Sequence, residues 1–222
     1  DITEANAALE PERLVGVETG VAWTGKDASL QATLFWNRLD DAIANVTVGA
    51  GPGTFPRAGF VPSGGVLRER RNAGRIEAWG LEAEARRRLG DRLTLDAAVA
   101  FTNAEVDGGG QAPQLTGLRP AQAPRWSARA GADWRAAERL SLKGELFYEG
   151  RRFDDDLNSR VLSPALTLDL RAEWRLRRAL SLYASLENAL DAKVETAETA
   201  DGVESFTAPR LLRVGLALRF GS

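Results

Sequence analysis

The chain has 222 residues, with 29 Lys and Arg against 31 Asp and Glu for a formal net charge of −2, and it contains no cysteine and no histidine. That balance argues against a nucleic-acid surface built on a concentrated positive field, and the missing residue types remove disulfide frameworks, thiol nucleophiles, Ser-His-Asp triads and histidine-bearing zinc sites. No run of about 18 apolar residues occurs, so no transmembrane helix is expected, while a mean hydropathy of −0.26 is compatible with strands that cross a bilayer using only every second residue.

The first predicted strand, 14–24, sets Val15, Val17, Val21 and Trp23 on one face and Gly16, Glu18 and Gly20 on the other. After Gly25-Lys26-Asp27 a second strand covers 30–37, with an extension expected through Ile43 and Val48. A polar connection, 49–65, carries Pro52, Pro56 and Pro62 and leads into a third strand, 72–89, with Trp79, Leu81, Ala83 and Ala85 opposite Gly80, Glu82, Glu84 and Arg86. Leu89-Gly90-Asp91-Arg92 reads as a tight hairpin turn into Leu93-Thr94-Leu95-Asp96-Ala97-Ala98-Val99-Ala100-Phe101, where one parity is wholly apolar. The fifth strand, 126–134, turns at 135–139 into a sixth, 140–148. The seventh sets Leu166, Leu168, Leu170, Ala172 and Trp174 against Thr167, Asp169, Arg171 and Glu173; the eighth offers Leu180, Leu182, Ala184 and Leu186. The last, 212–220, sets Leu212, Val214, Leu216, Leu218 and Phe220 against Arg213, Gly215 and Arg219.

Two features separate a membrane barrel from a soluble sandwich. Short turns at Gly25, Gly90, Ala136 and Arg177 alternate with long loops at Gly49, Gly108, Asp154 and Thr199, the asymmetry of periplasmic turns and external loops. Most aromatics fall at strand ends: Trp23, Trp126, Trp134, Trp174 and Phe220 sit where an interfacial girdle belongs, Trp79 less plainly. The expected fold is all-β, an antiparallel up-and-down transmembrane β-barrel, partial, with about nine strands of a larger barrel. A self-contained outer-membrane pore or adhesin, and a soluble β-sandwich binding module, are the alternatives.

Strand parity extends the expectation. With short turns in the periplasm, the ninth strand ends there and the first begins outside, whereas an intact barrel of this kind has an even strand number and both termini inside. Strands upstream of Asp1 are therefore expected, roughly thirteen for a barrel of about 22, and residues 1–11, which do not alternate, belong to an external loop. The absence of Met fits a processed chain or a piece of a longer one.

Candidate site residues lie in the lumen and the outer loops. Lumen-facing Glu82, Glu84, Thr94, Asp96, Arg129, Asp133, Glu145, Asp169, Arg171, Glu173, Arg213 and Arg219 would hold a plug and line a solute path, or simply solvate a wide lumen. Arg68, Arg70 and Arg71, with Arg75 just beyond, and Arg151 with Arg152 would attract an anionic chelate or lipopolysaccharide phosphates; ordinary loop charge is the plain alternative. Trp36 beside Phe35 would stack on a ligand or belong to the girdle. Asp154, Asp155 and Asp156 are the one metal candidate, without the ligand spacing of a calcium loop, and a solvated loop is the alternative. Glu82 and Glu84, about 7 Å apart on one face, lack the sugar-stacking aromatic that glycoside chemistry needs, so no catalytic residue and no cofactor is expected.

Several ordered segments resemble the C-terminal barrel portion of TonB-dependent outer-membrane receptors. Asn6 with Leu9-Glu10-Pro11-Glu12, then Glu18-Thr19-Gly20, is similar to that family's lead into a strand. Asn72-Ala73-Gly74 with Gly80-Leu81-Glu82-Ala83-Glu84, Leu186-Glu187-Asn188-Ala189-Leu190-Asp191, and Pro209-Arg210 before Val214-Gly215-Leu216 and Phe220 resemble its later segments. The resemblance implies an outer-membrane location, uptake of a scarce solute such as a ferric siderophore or cobalamin, and energy from the TonB complex acting on a plug. Residues 1–222 would then be the C-terminal part of the barrel with plug and earlier strands absent, and with outer-membrane lipid and a small-molecule ligand as partners. Gly221-Ser222, after the closing aromatic, departs from the pattern.

Overall fold

In the computed structural model, which describes residues 2–72 and 74–218, nine strands form one antiparallel sheet in unbroken chain order. They are β1 (Arg13–Thr24), β2 (Ala28–Asp40), β3 (Arg75–Leu89), β4 (Leu93–Asp107), β5 (Trp126–Ala137), β6 (Leu140–Glu149), β7 (Ala165–Arg177), β8 (Leu180–Glu187) and β9 (Leu211–Leu218). Each pairs with the next, so the connections are hairpins throughout.

The register carries the alternation of single strands across the whole sheet. Ala85, Ala97, Ala130, Leu146 and Leu168 lie in one row over five strands. The next parity runs Glu84, Ala98, Arg129, Phe147 and Thr167. One face is therefore apolar and the other polar, and a slip of one residue in any pair would exchange them. No second sheet packs on the apolar face among the described residues. Leu95 and Val99 are each 38% exposed, and Val21 reaches 71%. The sandwich reading required these side chains in a dry middle; exposure on this scale instead suits contact with acyl chains.

The buried apolar residues gather elsewhere. Val46, Val106, Ala112 and Leu115 form a small core with Ala44, Ile76 and Leu118 packed against it. These residues belong to the loops and loop-proximal strand ends, so hydrophobic burial within the protein fastens the external layer rather than the wall.

The long connection between β2 and β3 departs from the sequence expectation. The second strand stops at Asp40, because Asp41 adopts φ +57° and turns the chain away. Ile43–Ala50 then pairs with Val66–Asn72, which also takes Ile2–Glu4 as a parallel neighbour. Thus Ile43 and Val48 extend a separate loop sheet, and β3 begins only at Arg75. Gly74 makes that break, with φ +86° and an ideal Cβ that would lie 2.1 Å from the Asp107 carbonyl oxygen. At the other end, Gly90 takes φ +62°, as the tight turn after Leu89 demands. Expectations attached to Asp1, Ala73, Arg219, Phe220, Gly221 and Ser222 fall outside the described residues.

The short turns share one construction. The Arg88 amide donates to the Asp27 carbonyl at 2.7 Å, the Arg135 amide to Arg92 at 2.7 Å, and the Arg175 amide to Arg139 at 2.8 Å. Each guanidinium reaches the carbonyl one residue earlier: Arg88 to Lys26 at 3.4 Å, Arg135 to Asp91, and Arg175 to Glu138 at 2.6 Å. An arginine on every second strand thus bridges the turn of the preceding hairpin.

Candidate ligand vestibule and lumen wall

On the polar face, the row Thr94, Asp133, Lys143, Arg171, Ser185 and Arg213 crosses six strands. Opposite charges pair along and between strands: Asp96 with Arg129 at 3.5 Å, Lys143 with Glu145 at 3.1 Å, Arg171 with Glu173 at 3.7 Å, and Arg213 with Glu187. The Arg171 guanidinium also lies 4.3 Å from the Tyr183 ring centroid. Groups this exposed contribute little to stability, so their consequence is a wet, charge-balanced wall. Glu82, Glu84, Arg129, Phe147 and Thr167 line a concavity of about 540 Å³ there. Of the lumen residues named from sequence, Arg219 alone is outside the described residues.

The external loops form a tied layer over that wall. Asp156 accepts from the Thr47 amide at 3.0 Å and its hydroxyl at 3.2 Å. Asn158 exchanges two bonds with the Arg119 backbone, both 2.9 Å. The Arg152 guanidinium, 5% exposed, donates to Gln122 at 3.0 Å and to the Glu195 carbonyl at 2.8 Å, and pairs with Glu149 at 2.9 Å. Residues 150–164 therefore join the loop before them and the loop after them. Arg152 serves as an internal strut.

The three aspartates do not converge on one point. Asp154 accepts from Gln122 at 2.8 Å, Asp155 from Ser159 at 2.7 Å and the Arg160 amide at 2.8 Å, and Asp156 from Thr47. No metal-ready group of carboxylates exists among the described residues. Asp155 is buried, which also differs from a solvated loop. Burial pushes its pKa up, but the Ser159 hydroxyl, the Arg160 amide and the Arg160 charge outweigh burial and hold it below the usual carboxylate value.

The basic candidates separate by strand parity. Arg68 and Arg70 share one side of Val66–Asn72, while Arg71 lies on the other and pairs with Glu69 at 2.7 Å. Arg57 meets the same Glu69 at 3.0 Å and Glu4 at 2.7 Å, so Glu69 is held below the usual carboxylate value by Arg71 first, with Arg57 adding to it. Arg75 pairs with Asp40 at 3.0 Å. Arg68, Arg119 and the three aspartates line a cavity of about 230 Å³ whose other wall is Ile43, Ile76 and Leu115. Arg151 is exposed, and its charge reaches Arg119, which with Arg125 is a residue the sequence did not single out. Burial first, then the charges of Arg125 and Arg151, lower the Arg119 pKa from its ordinary value. Trp36 faces outward opposite Trp79 and Val17, a girdle position away from the lumen.

The family-like segments acquire physical roles. Asn72 donates to the Glu10 and Asp41 carbonyls at 2.9 and 2.7 Å and accepts from the Glu10 amide at 2.8 Å. Glu12 accepts from the Ile43 amide at 2.8 Å. Asn188, at φ +47°, closes the end of β8 through two 2.9 Å bonds to Ala192, and its amide meets Asp169 at 2.8 Å. These polar residues fasten chain entries to the loop layer.

A meander with one lipid-ready face, one wet face, bridged short turns and a tied loop layer is the wall of an outer-membrane β-barrel. The chain belongs to the TonB dependent receptor-like, beta-barrel family, whose pattern matches residues 1–189. That family is one of transport receptors, not enzymes. Among solved structures, the chain is similar to the ferric yersiniabactin uptake receptor FyuA from Yersinia pestis, with TM-score 0.74 and 18% identity over 95% of this chain and 30% of that one. It is also similar to a mutant of the ferric enterobactin receptor PfeA from Pseudomonas aeruginosa, with TM-score 0.70 and 21% identity over 97% and 32%. The copper transporter OprC gives TM-score 0.74 and 15% identity over 96% and 33%. At these identities the likeness is one of fold, and the chain spans roughly a third of each of these proteins' length. No curated protein matches it.

Proposed function

We propose that the chain is the C-terminal part of the barrel of a receptor that takes up a scarce solute, a ferric siderophore or cobalamin, with energy from the TonB complex acting through a plug domain. The observation that carries this reading lies in the external loops, where part-buried Arg119 feels the charges of both Arg125 and Arg151. Cations that oppose one another in this way favour an anionic ligand that neutralises them, and ferric chelates of catecholate or carboxylate type have that charge. The names of FyuA and PfeA as ferric siderophore receptors agree with this class. Outer-membrane lipid is the partner of the apolar face, and no residue is assigned a catalytic role.

Uptake of radiolabelled ferric enterobactin, ferric yersiniabactin and cyanocobalamin, by cells producing the receptor that carries this chain, tests the proposal. Expected is TonB-dependent accumulation of one of them, with affinity for a ferric chelate lowered about tenfold or more when Arg119, Arg125 and Arg151 are changed to glutamine. Accumulation that persists undiminished in a strain lacking TonB would sink the energised-receptor reading.

A further inference from the structure

The short-turn end carries an unusual charge pattern. At the short-turn end stand Lys26, Arg86-Arg87-Arg88, Arg92, Arg135, Arg139, Arg175 and Arg177-Arg178, against Asp27, Asp91 and Glu138 in the turns and Asp96 and Glu173 beside them. The whole chain is slightly acidic, so this end is a segregated basic collar and not a sample of the average composition.

The collar has two layers. Arg88, Arg135 and Arg175 are spent on turn carbonyls. Arg92, Arg139 and Arg178 are exposed in or beside the turns themselves, and their side chains form no hydrogen bond or ion pair among the described residues. They border the lumen side: Arg92, Arg139 and Arg178 line a polar concavity of about 560 Å³ together with Arg135 and Arg175, facing Asp91, Glu138 and Glu173. A second concavity of about 310 Å³, where Arg88, Arg92, Lys143 and Arg171 outnumber Asp91, Asp133 and Glu173, adjoins it through Arg92 and Arg135. On the lipid side the same level offers Arg87, in register with Leu95, and Arg177, in register with Leu180. The unspent positive charge thus borders the short-turn edge of the polar face, with Arg87 and Arg177 on the lipid side.

We propose that this edge is a docking surface for a carboxylate-rich segment of a second polypeptide in the periplasm. Carboxylates complement guanidinium groups in charge and in planar geometry, and an extended chain presents them at a spacing that neighbouring turns can match. The unspent arginines are exposed in or beside the turns, so a partner reaches them from solution without entering the barrel. Electrostatic attraction of this kind sets encounter rate and salt dependence before it sets affinity.

The test uses a fluorescent decaglutamate peptide and the receptor that carries this chain, whole and in nanodiscs. Expected is binding at low ionic strength that fades as salt rises. The triple variant Arg92→Gln, Arg139→Gln, Arg178→Gln weakens it about tenfold, each exposed pair contributing a factor of about two. The corresponding triple lysine variant retains most of the affinity, and Arg87→Gln with Arg177→Gln leaves it unchanged. The proposal is overturned by absence of binding to the unaltered receptor at low salt, or by equal loss from the lipid-side pair. It is overturned equally if the triple glutamine variant loses enrichment of phosphatidylglycerol over phosphatidylcholine in the nanodisc while peptide binding is untouched, because the collar would then be a lipid headgroup site.

Discussion

At the residue scale, identity along β4 is decided by parity. Ala97 lies in the outward row between Ala85 and Ala130, midway between the aromatic levels of β4 and β5, while Ala100 faces inward between Glu82 and Ser127. Arginine at position 97 must be desolvated in hydrocarbon or drag water in with it. At position 100 it meets a carboxylate in a wet lumen. Ala97→Arg is expected to destabilise the folded wall by about 2–4 kcal/mol and Ala100→Arg by less than about 1 kcal/mol. Urea unfolding in lipid vesicles measures both, and equal costs at the two positions would remove the lipid assignment of the outward face. This much was legible in the sequence, because a period of two assigns every wall residue to a face without knowledge of its neighbours. Arg119 and Arg125 were not legible: they sit in a loop with no period, and only the fold brings the charges of Arg125 and Arg151 to bear on Arg119. The arginines at 88, 135 and 175 had a faint signal, an arginine of inward parity one or two residues before the end of alternate strands.

At the element scale, strands and turns followed from alternation and turn chemistry, whereas the loop sheet did not. Ile43–Ala50 and Val66–Asn72 are held by pairing with each other and by the small core under Val46, and both contacts are invisible to a local pattern. The same layer hangs on Asp155, whose pKa is depressed in the folded protein. A depressed carboxylate contributes stability above its unfolded value, about 3.9, and that contribution is lost as pH falls through the lower folded value. The segment 150–164 is therefore expected to resist pepsin at pH about 4.5 and to become cleavable as the pH falls below about 3.9 and through the lower folded value. Asp155→Asn, which cannot gain charge on deprotonation, is expected to be cut at pH about 4.5 as well. Indistinguishable digestion of the variant and the unaltered chain would mean that Asp155 does not hold the layer closed.

At the scale of the whole molecule, the six tryptophans report how the wall sits in the bilayer. Trp36, Trp79 and Trp126 lie toward the loops. Trp79 meets Phe101 edge-on at 5.4 Å, and Phe101 lies 4.7 Å from Trp126. Trp23, Trp134 and Trp174 lie toward the short turns, Trp134 in register with Leu93 and Trp174 with Leu140. Within β5, eight steps of about 3.3 Å separate Trp126 from Trp134 along the strand, and a tilt of about 40° reduces this to a height of about 20 Å. Two belts at that separation lie just inside the two edges of an apolar band of about 25 Å. Lipids brominated close to the headgroup are accordingly expected to quench tryptophan fluorescence more strongly than lipids brominated near the chain ends. Replacing Trp36, Trp79 and Trp126 with phenylalanine should leave that order unchanged, because the remaining three occupy the opposite interface at similar depth. Stronger quenching by the deep bromines would place the aromatics at the bilayer centre, where the observed register cannot put both belts at once.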